Sequence, residues 1–407
     1  MGLCAILITY TARSYVLSCM GLQLPFLDKG LKFLESSILR QADTSVLGVD
    51  IGSSTIKLVQ LRKNQDVAQL ETYGEIALGP LGNAEVGQSV NIAPDKIAQA
   101  LKDLMREAGV TTTVCGASVP FAASLVKLIE VPPLDPKKLE TVIPIEARKY
   151  VPVPINEVQL DWFIIPEAEQ RLFEGAQDLE EAQTIALTKK MVLMVAMNNE
   201  TLQKYTETLR LAGLTPLFYE IEVFSNMRAT VSRSLAPVAI IDLGASTSKL
   251  YIIELGIILA SHVVPVGSQD ITRALASSTH ISIAKAEELK REVGILQGTA
   301  NEDIMHVSHA SVLTMERVFS DMRRVLLGFQ RKYNKVITKV IITGGGGLLK
   351  GVNEFARQQL ELEIELANPY AHVQTPAFLE DVLHRIGPSF AVSTGVALRM
   401  LHERSGH

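Results

Sequence analysis

Val49-Asp50-Ile51-Gly52-Ser53-Ser54-Thr55-Ile56-Lys57-Leu58 returns later in the chain as Ile241-Asp242-Leu243-Gly244-Ala245-Ser246-Thr247-Ser248-Lys249-Leu250. Asp, Gly, Ser, Thr, Lys and Leu recur in register, at the same offset from Asp50 to Asp242 as from Lys57 to Lys249. That offset is far longer than a solenoid unit, so it marks two related domains in tandem. In each copy apolar residues lead in (Val46, Leu47, Val49; 238–241) and alternating apolar residues lead out (Ile56, Leu58, Val59, Leu61; 250–255). The pattern predicts a β-hairpin closed by a glycine-containing turn.

Such a turn suits a polyphosphate. Glycine lets backbone N–H groups approach phosphate oxygens with no side chain between them. Ser53, Ser54, Ser246 and Thr247 add hydroxyl donors, and Lys57 adds positive charge. Asp50 and Asp242 would repel phosphate unless they face a magnesium ion through its water shell, the usual mode for that ion. One copy of D-x-G-x-S is only a tight turn; two in register point to phosphate binding. A third element is the strand expected over 339–343, which runs into Gly344-Gly345-Gly346-Gly347. Four glycines let a planar base and ribose press against main chain. The run is neither a Walker A loop nor a G-x-G-x-x-G fingerprint.

Between the copies, helices are expected at 93–108, from Pro136 to 150, and at 200–212 before Gly213, with strands at 114–119, 125–131, 160–165 and 191–197. The charge-rich stretch 167–190 reads as partly loop. The expected organisation is a leader (1–45), a first domain (46–113 and 198–236), an inserted α+β lobe (114–197), a second domain (237–401) and a tail (402–407). In the leader, Leu27, Leu31, Leu34 and Ile38 share one face of a possible helix, which would pack on the first domain or lie on a membrane surface. Arg13 and several small polar residues interrupt residues 1–24, which lack an uncharged span; Met20 is an alternative start.

Composition bounds the rest. At 407 residues the chain is too long for one ordinary core. With 47% hydrophobic and 20% charged residues it has a globular composition, and its net charge of −5 gives no general reason to bind nucleic acid. Its three cysteines form no C-x-x-C, which argues against a disulfide framework or a zinc site and for a reduced compartment.

The order of motifs resembles the actin-like ATPase superfamily, with its two-domain ribonuclease H-like α/β fold. Within it the chain resembles the PilM family of type IV pilus assembly proteins, which are related to the cell-division protein FtsA. The stretches that carry this are LGVDIGSSTIKLVQL (47–61), IPIEARKYVPVPINEVQLDW (143–162), IDLGASTSKLYIIEL (241–255), VGSQDITRALA (266–276), AEELKRE (286–292) and VIITGGGGLLKGV (340–352).

The resemblance implies ATP and magnesium as ligands. It puts Asp50, Gly52, Ser53, Ser54 and Lys57 on the first phosphate motif, and Asp242, Gly244 and Ser246 on the second. It puts Glu287 and Lys290 on ribose and base, and Gly344 to Gly347 on the adenosine loop. Ala245 stands where actin has an acid. Glu220 and Glu222 fall where superfamily ATPases position the attacking water, and either could instead be structural; slow hydrolysis, or a clamp that only binds, is as open as brisk turnover.

The resemblance further implies a cytoplasmic protein on the inner membrane's inner face. It would grip the N-terminal cytoplasmic peptide of the membrane protein PilN near 150–161 and link it to the pilus motor ATPases. An FtsA-like filament protein, a small-molecule kinase of the same superfamily, and a scaffold with a vestigial site are the rival readings. The closing residues His402 to His407 offer no basic amphipathic helix of the FtsA kind.

Overall fold

The computed structural model describes residues 45–65, 67–167, 169–170, 189–232, 234, 236–295 and 302–405. The leader helix expected around 27–38, and most of the 167–190 stretch, lie outside the described residues.

The first half opens on β1 (Ser45–Ile51), β2 (Thr55–Asn64) and β3 (Val67–Ala77), two successive antiparallel hairpins. Helix α1 (Pro94–Glu107) starts on a proline, whose missing N–H costs nothing in a first turn, and buries Ala98, Leu101 and Leu104. Strand β4 (Val114–Val119) then runs parallel to β1.

The insertion consists of β5 (Ser124–Val131), α2 (Pro136–Ala147), β6 (Val158–Ile164) and β7 (Lys190–Asn198), a three-stranded antiparallel sheet with β7 in the middle. Strand β7 is an unbroken apolar run because both its faces are covered. Met191, Leu193, Val195 and Met197 pack into the first-half core, while Val192, Met194 and Ala196 pack with Ile129, Leu139 and Ile143 inside the lobe.

Helix α3 (Asn199–Ala212) is capped by Asn198, whose side chain accepts the Thr201 N–H at 3.1 Å, and ends at left-handed Gly213. Strand β8 (Thr215–Ile221) returns parallel to β4, and α4 (Glu222–Thr230) follows directly.

The second half repeats the plan with β9 (Val238–Leu243), β10 (Ser248–Glu254) and β11 (Ile257–Val264), then α5 (Ser268–Thr279), α6 (Ile283–Val293) and the long α7 (Glu302–Tyr333). Strand β12 (Lys339–Thr343), α8 (Val352–Leu360) and β13 (Glu363–Leu366) complete it. Its sheet order, β11-β10-β9-β12-β13, matches β3-β2-β1-β4-β8 of the first half strand for strand, with the same antiparallel and parallel pairings. The sequence repeat is thus a repeat of topology.

The chain then crosses back. Strand β14 (Val373–Gln374) pairs with β3, and α9 (Glu380–Ser405) packs on the first sheet, with Phe390, Val396, Ala397 and Met400 against Val46, Val59 and Leu61. The stretch read from sequence as one second domain, 237–401, therefore gives its last part to the first sheet. Gly48 is the reason α9 can lie so close: a Cβ there would come within 2.1 Å of the Ser393 carbonyl oxygen. No α-helix follows the four glycines directly; the next, α8, begins at Val352. Residues Gly345–Leu348 form a single 3₁₀ turn before α8.

Candidate functional site

The β1–β2 and β9–β10 turns have the same construction. Asp50 pairs with Lys57 across the first hairpin, and Asp242 with Lys249 across the second. The Gly52 N–H donates to the Thr55 carbonyl at 2.9 Å and the Gly244 N–H to the Thr247 carbonyl at 3.0 Å. Neighbouring segments hold the turn carbonyls: Val90 N–H to Ser53, Leu78 N–H to Ser54, Ser268 N–H to Gly244, Gln269 N–H to Ala245. The amides of Ser53, Ser54, Ala245 and Ser246 donate no hydrogen bond among the described residues. The two turns meet, with the Ser53 and Ser246 hydroxyl oxygens 3.3 Å apart.

Behind the turns lie carboxylates from both halves. The Ser118 hydroxyl on β4 donates to Asp50 Oδ1 at 2.6 Å. Burial raises the Asp50 pKa, and this hydrogen bond together with the Lys57 and Lys249 charges only partly offsets it. The Tyr205 hydroxyl on α3 donates to the Ile51 carbonyl at 3.0 Å and fixes the end of β1. On the second hairpin Lys249 Nζ lies 3.1 Å from Asp242 Oδ2, and it reaches Glu222 Oε1 of the first half at 2.8 Å. The Phe121 N–H donates to the same Glu222 oxygen at 2.7 Å. Burial by itself would lower the Lys249 pKa; Asp242 and Glu222 outweigh it and raise it well above the usual lysine value. Lys57 turns the other way, with Nζ 2.6 Å from Thr55 Oγ1 and 3.3 Å from Glu75.

The two glutamates expected near an attacking water separate. Glu222, the first residue of α4, is at the cleft. Glu220 is held on β8 by Arg228, Arg399 and the Ser225 hydroxyl, each within 2.9 Å. Burial would raise its pKa, but the two guanidinium groups pull it down to about 2. Strand alternation alone would put two residues so spaced on one face; they part because β8 ends at Ile221 and Glu222 opens α4, while Glu220 stays on the face where α9 and Arg399 pack.

Glu287 and Lys290 are not open helix charges; they are 5% and 6% exposed. Glu287 accepts from Thr272, Lys290 and Arg291, and Lys290 also donates to Thr272 and to the Ser268 carbonyl. A first-half loop covers them. The Ser89 N–H donates to Gln269 Oε1 at 2.9 Å, Arg273 donates to Gln88, and a Cβ on Gly87 would come within 2.6 Å of the Glu287 carboxylate.

Of the four glycines, Gly344 (φ +82°) lies so close to Asp242 that a Cβ would come within 2.3 Å of Oδ1. Gly346 and Gly347 pack against Leu243 and Ile342, and only Gly345 faces open space. Sequence reading missed Ser118, Lys249 as a site residue, and Tyr251, whose buried hydroxyl has no hydrogen-bond partner among the described residues. Lys249 had a usable signal, its register with Lys57.

Two sheets of one topology, joined where their glycine turns touch, define an actin-like ATPase fold. The chain belongs to the PilM family of type IV pilus assembly proteins, whose model matches residues 48–401. A solved structure described as a PilM–PilN type IV pilus biogenesis complex aligns with a TM-score of 0.71 at 26% identity, over 88% of this chain and 98% of that one. The cell division protein FtsA of Bacillus subtilis (strain 168) is 19% identical over 259 residues, and the chain spans 58% of that relative's length and 58% of its own. MreB 5 of Spiroplasma citri bound to AMPPNP aligns at TM-score 0.49 and 12% identity, over 90% of this chain and 98% of that one.

Proposed function

We propose that the chain binds ATP with magnesium between its two halves and uses the closed form to hold the N-terminal cytoplasmic peptide of a PilN-type membrane protein. The carrying observation is the contact of the two turns, Ser53 against Ser246, with matched carboxylates behind them and four amides that donate no hydrogen bond among the described residues. The donor set fits a hard cation and a phosphate chain. Asp50 and Asp242 would face magnesium through its water shell. Bound there, magnesium neutralises phosphate charge. Gly52, Gly244 and the free amides cradle the phosphates, with Lys57, Ser54 and Thr247 beside them. Gly345 takes the base, and Glu287 and Lys290 stiffen its wall from behind.

Glu222 faces the nucleotide, while Glu220 stabilises the fold. Lys249 and the Phe121 amide hold Glu222 by its Oε1, which ties this carboxylate into the seam between the halves, and the site works as a clamp with slow turnover. Isothermal titration checks the site. The parent should give heat with ATP and magnesium, and Asp50→Ala and Asp242→Ala should bind about tenfold more weakly or worse. No heat from the parent would leave a scaffold without nucleotide.

A groove of about 450 Å³ on the inserted lobe, lined by Arg148, Val153, Pro154, Ile155 and Asn156, supports the peptide reading. Tyr150 stands exposed nearby, with Lys127 Nζ 5.5 Å from its ring centre. No helix among the described residues is long and apolar enough to cross a membrane. The proposed place is peripheral, on the cytoplasmic face of the inner membrane, between the PilN-type tail and the pilus motor ATPases. Fluorescence anisotropy with a labelled tail peptide tests the groove: Val153→Asp should weaken binding about tenfold, and unchanged affinity would move the groove elsewhere.

A further inference from the structure

Lys249 lies where the two halves meet. Its ammonium touches Asp242 of the second sheet and Glu222, the residue that follows the first sheet's β8. The side chain is only 11% exposed, and those of Asp242 and Glu222 are 9% and 12% exposed. Asp50 of the first hairpin feels the Asp242 charge, and such carboxylates repel a polyphosphate. An ammonium has three donors, and these two contacts use two of them. Beside it, the fully buried Tyr251 hydroxyl has no partner among the described residues, and its pKa is pushed up by burial and by the Glu222 and Asp242 charges, with Lys249 opposing. The Lys249 ammonium, with one donor unspent by these two contacts, suits an oxygen-rich anion at the seam of the two halves or the water that bridges to it, while Tyr251 lies in the core behind it.

Resting on the nucleotide reading above, we propose that Lys249 is a resident cation of the phosphate site, neutralising Asp242 and Glu222 so that the cleft takes a nucleotide polyphosphate with or without a divalent metal. Lys57 differs: its ammonium is held by Thr55 and Glu75 and acts on Asp50 by its charge alone, with no contact to Asp242 or Glu222 among the described residues. Magnesium then adds affinity by coordination and is not the condition for closing the two halves.

Titration of the intact protein with ATP in excess magnesium and in excess EDTA tests this. The parent should bind in EDTA within about tenfold of its magnesium affinity. Lys249→Met should lose binding in EDTA by about a hundredfold while losing much less with magnesium, which can then neutralise the freed carboxylates. Lys57→Met should weaken both by the same factor. Heat from the parent only with magnesium would overturn the resident-cation role and leave the nucleotide site standing. No heat under either condition would remove both. The parent's two titrations decide the matter even if Lys249→Met does not fold. If it folds, equal losses in EDTA and magnesium would also overturn the role.

Discussion

The two hairpins share a sequence and a register, yet their lysines do different work. In the first, Lys57 leans outward to Thr55 and Glu75, and Asp50 is left to the Ser118 hydroxyl. In the second, Lys249 folds back onto Asp242 and reaches across to Glu222. The difference comes from the neighbours each hairpin meets. Strand β3 offers Glu75 beside Lys57, directly across the pair of strands. Lys249 faces the start of α4 from the other half, where Glu222 waits. The halves differ again behind the sheet. The first sheet carries the body of α9, which reaches the second half through the Pro388 carbonyl, and there Gly48 stands where the second copy has the fully buried Ile240. A repeated motif thus fixes a hairpin and its ligating atoms, while its surroundings assign the charges.

Exchanging the unequal positions tests this most severely. Gly48→Ile, which writes the second copy's residue into the first, drives a side chain into the α9 backbone and should cost more than about 4 kcal/mol. Failure to accumulate folded protein, or a collapsed melting temperature, would show it; a mild shift would mean that α9 can move aside.

Next comes the ion network that α9 brings to the first half. Glu220→Gln strands Arg399 and Arg228 and should cost about 3–5 kcal/mol. The sign with pH follows from the lowered pKa. The native carboxylate stays charged down to about 2 against an ordinary 4.5, so its contribution is present above 4.5 and drains away as pH falls toward 2. The parent's stability should therefore fall over that acid range more steeply than the variant's, as chemical denaturation at stepped pH would record.

The paired aspartates sharpen the contrast. Asp242→Asn leaves Lys249 with one carboxylate and should lose about 1–3 kcal/mol. Asp50→Asn should change stability by under about 1 kcal/mol, since burial already disfavours that charge. Equal melting shifts for the two would contradict the unequal roles of the hairpins. The smallest effect is expected at Lys57→Met, under about 1 kcal/mol, because its partner Glu75 is 41% exposed and well screened; a loss as large as that of Asp242→Asn would put Lys57 inside the charged cleft.

The sequence by itself determined the two hairpins, their glycine turns, the α/β alternation of the insertion and the aspartates at matched register. Strand alternation, turn chemistry and helix stop signals act over a few residues, so they are legible where they stand. Only the tertiary structure decided which of Glu220 and Glu222 reaches the cleft, that α9 returns to the first sheet, and that Lys249 joins the two halves. Each of these depends on a partner far away in the chain: Arg399 for Glu220, Ser393 for Gly48, Glu222 for Lys249. A buried charge takes its role from whichever opposite charge packing brings within about 3 Å, and no local pattern carries that distance.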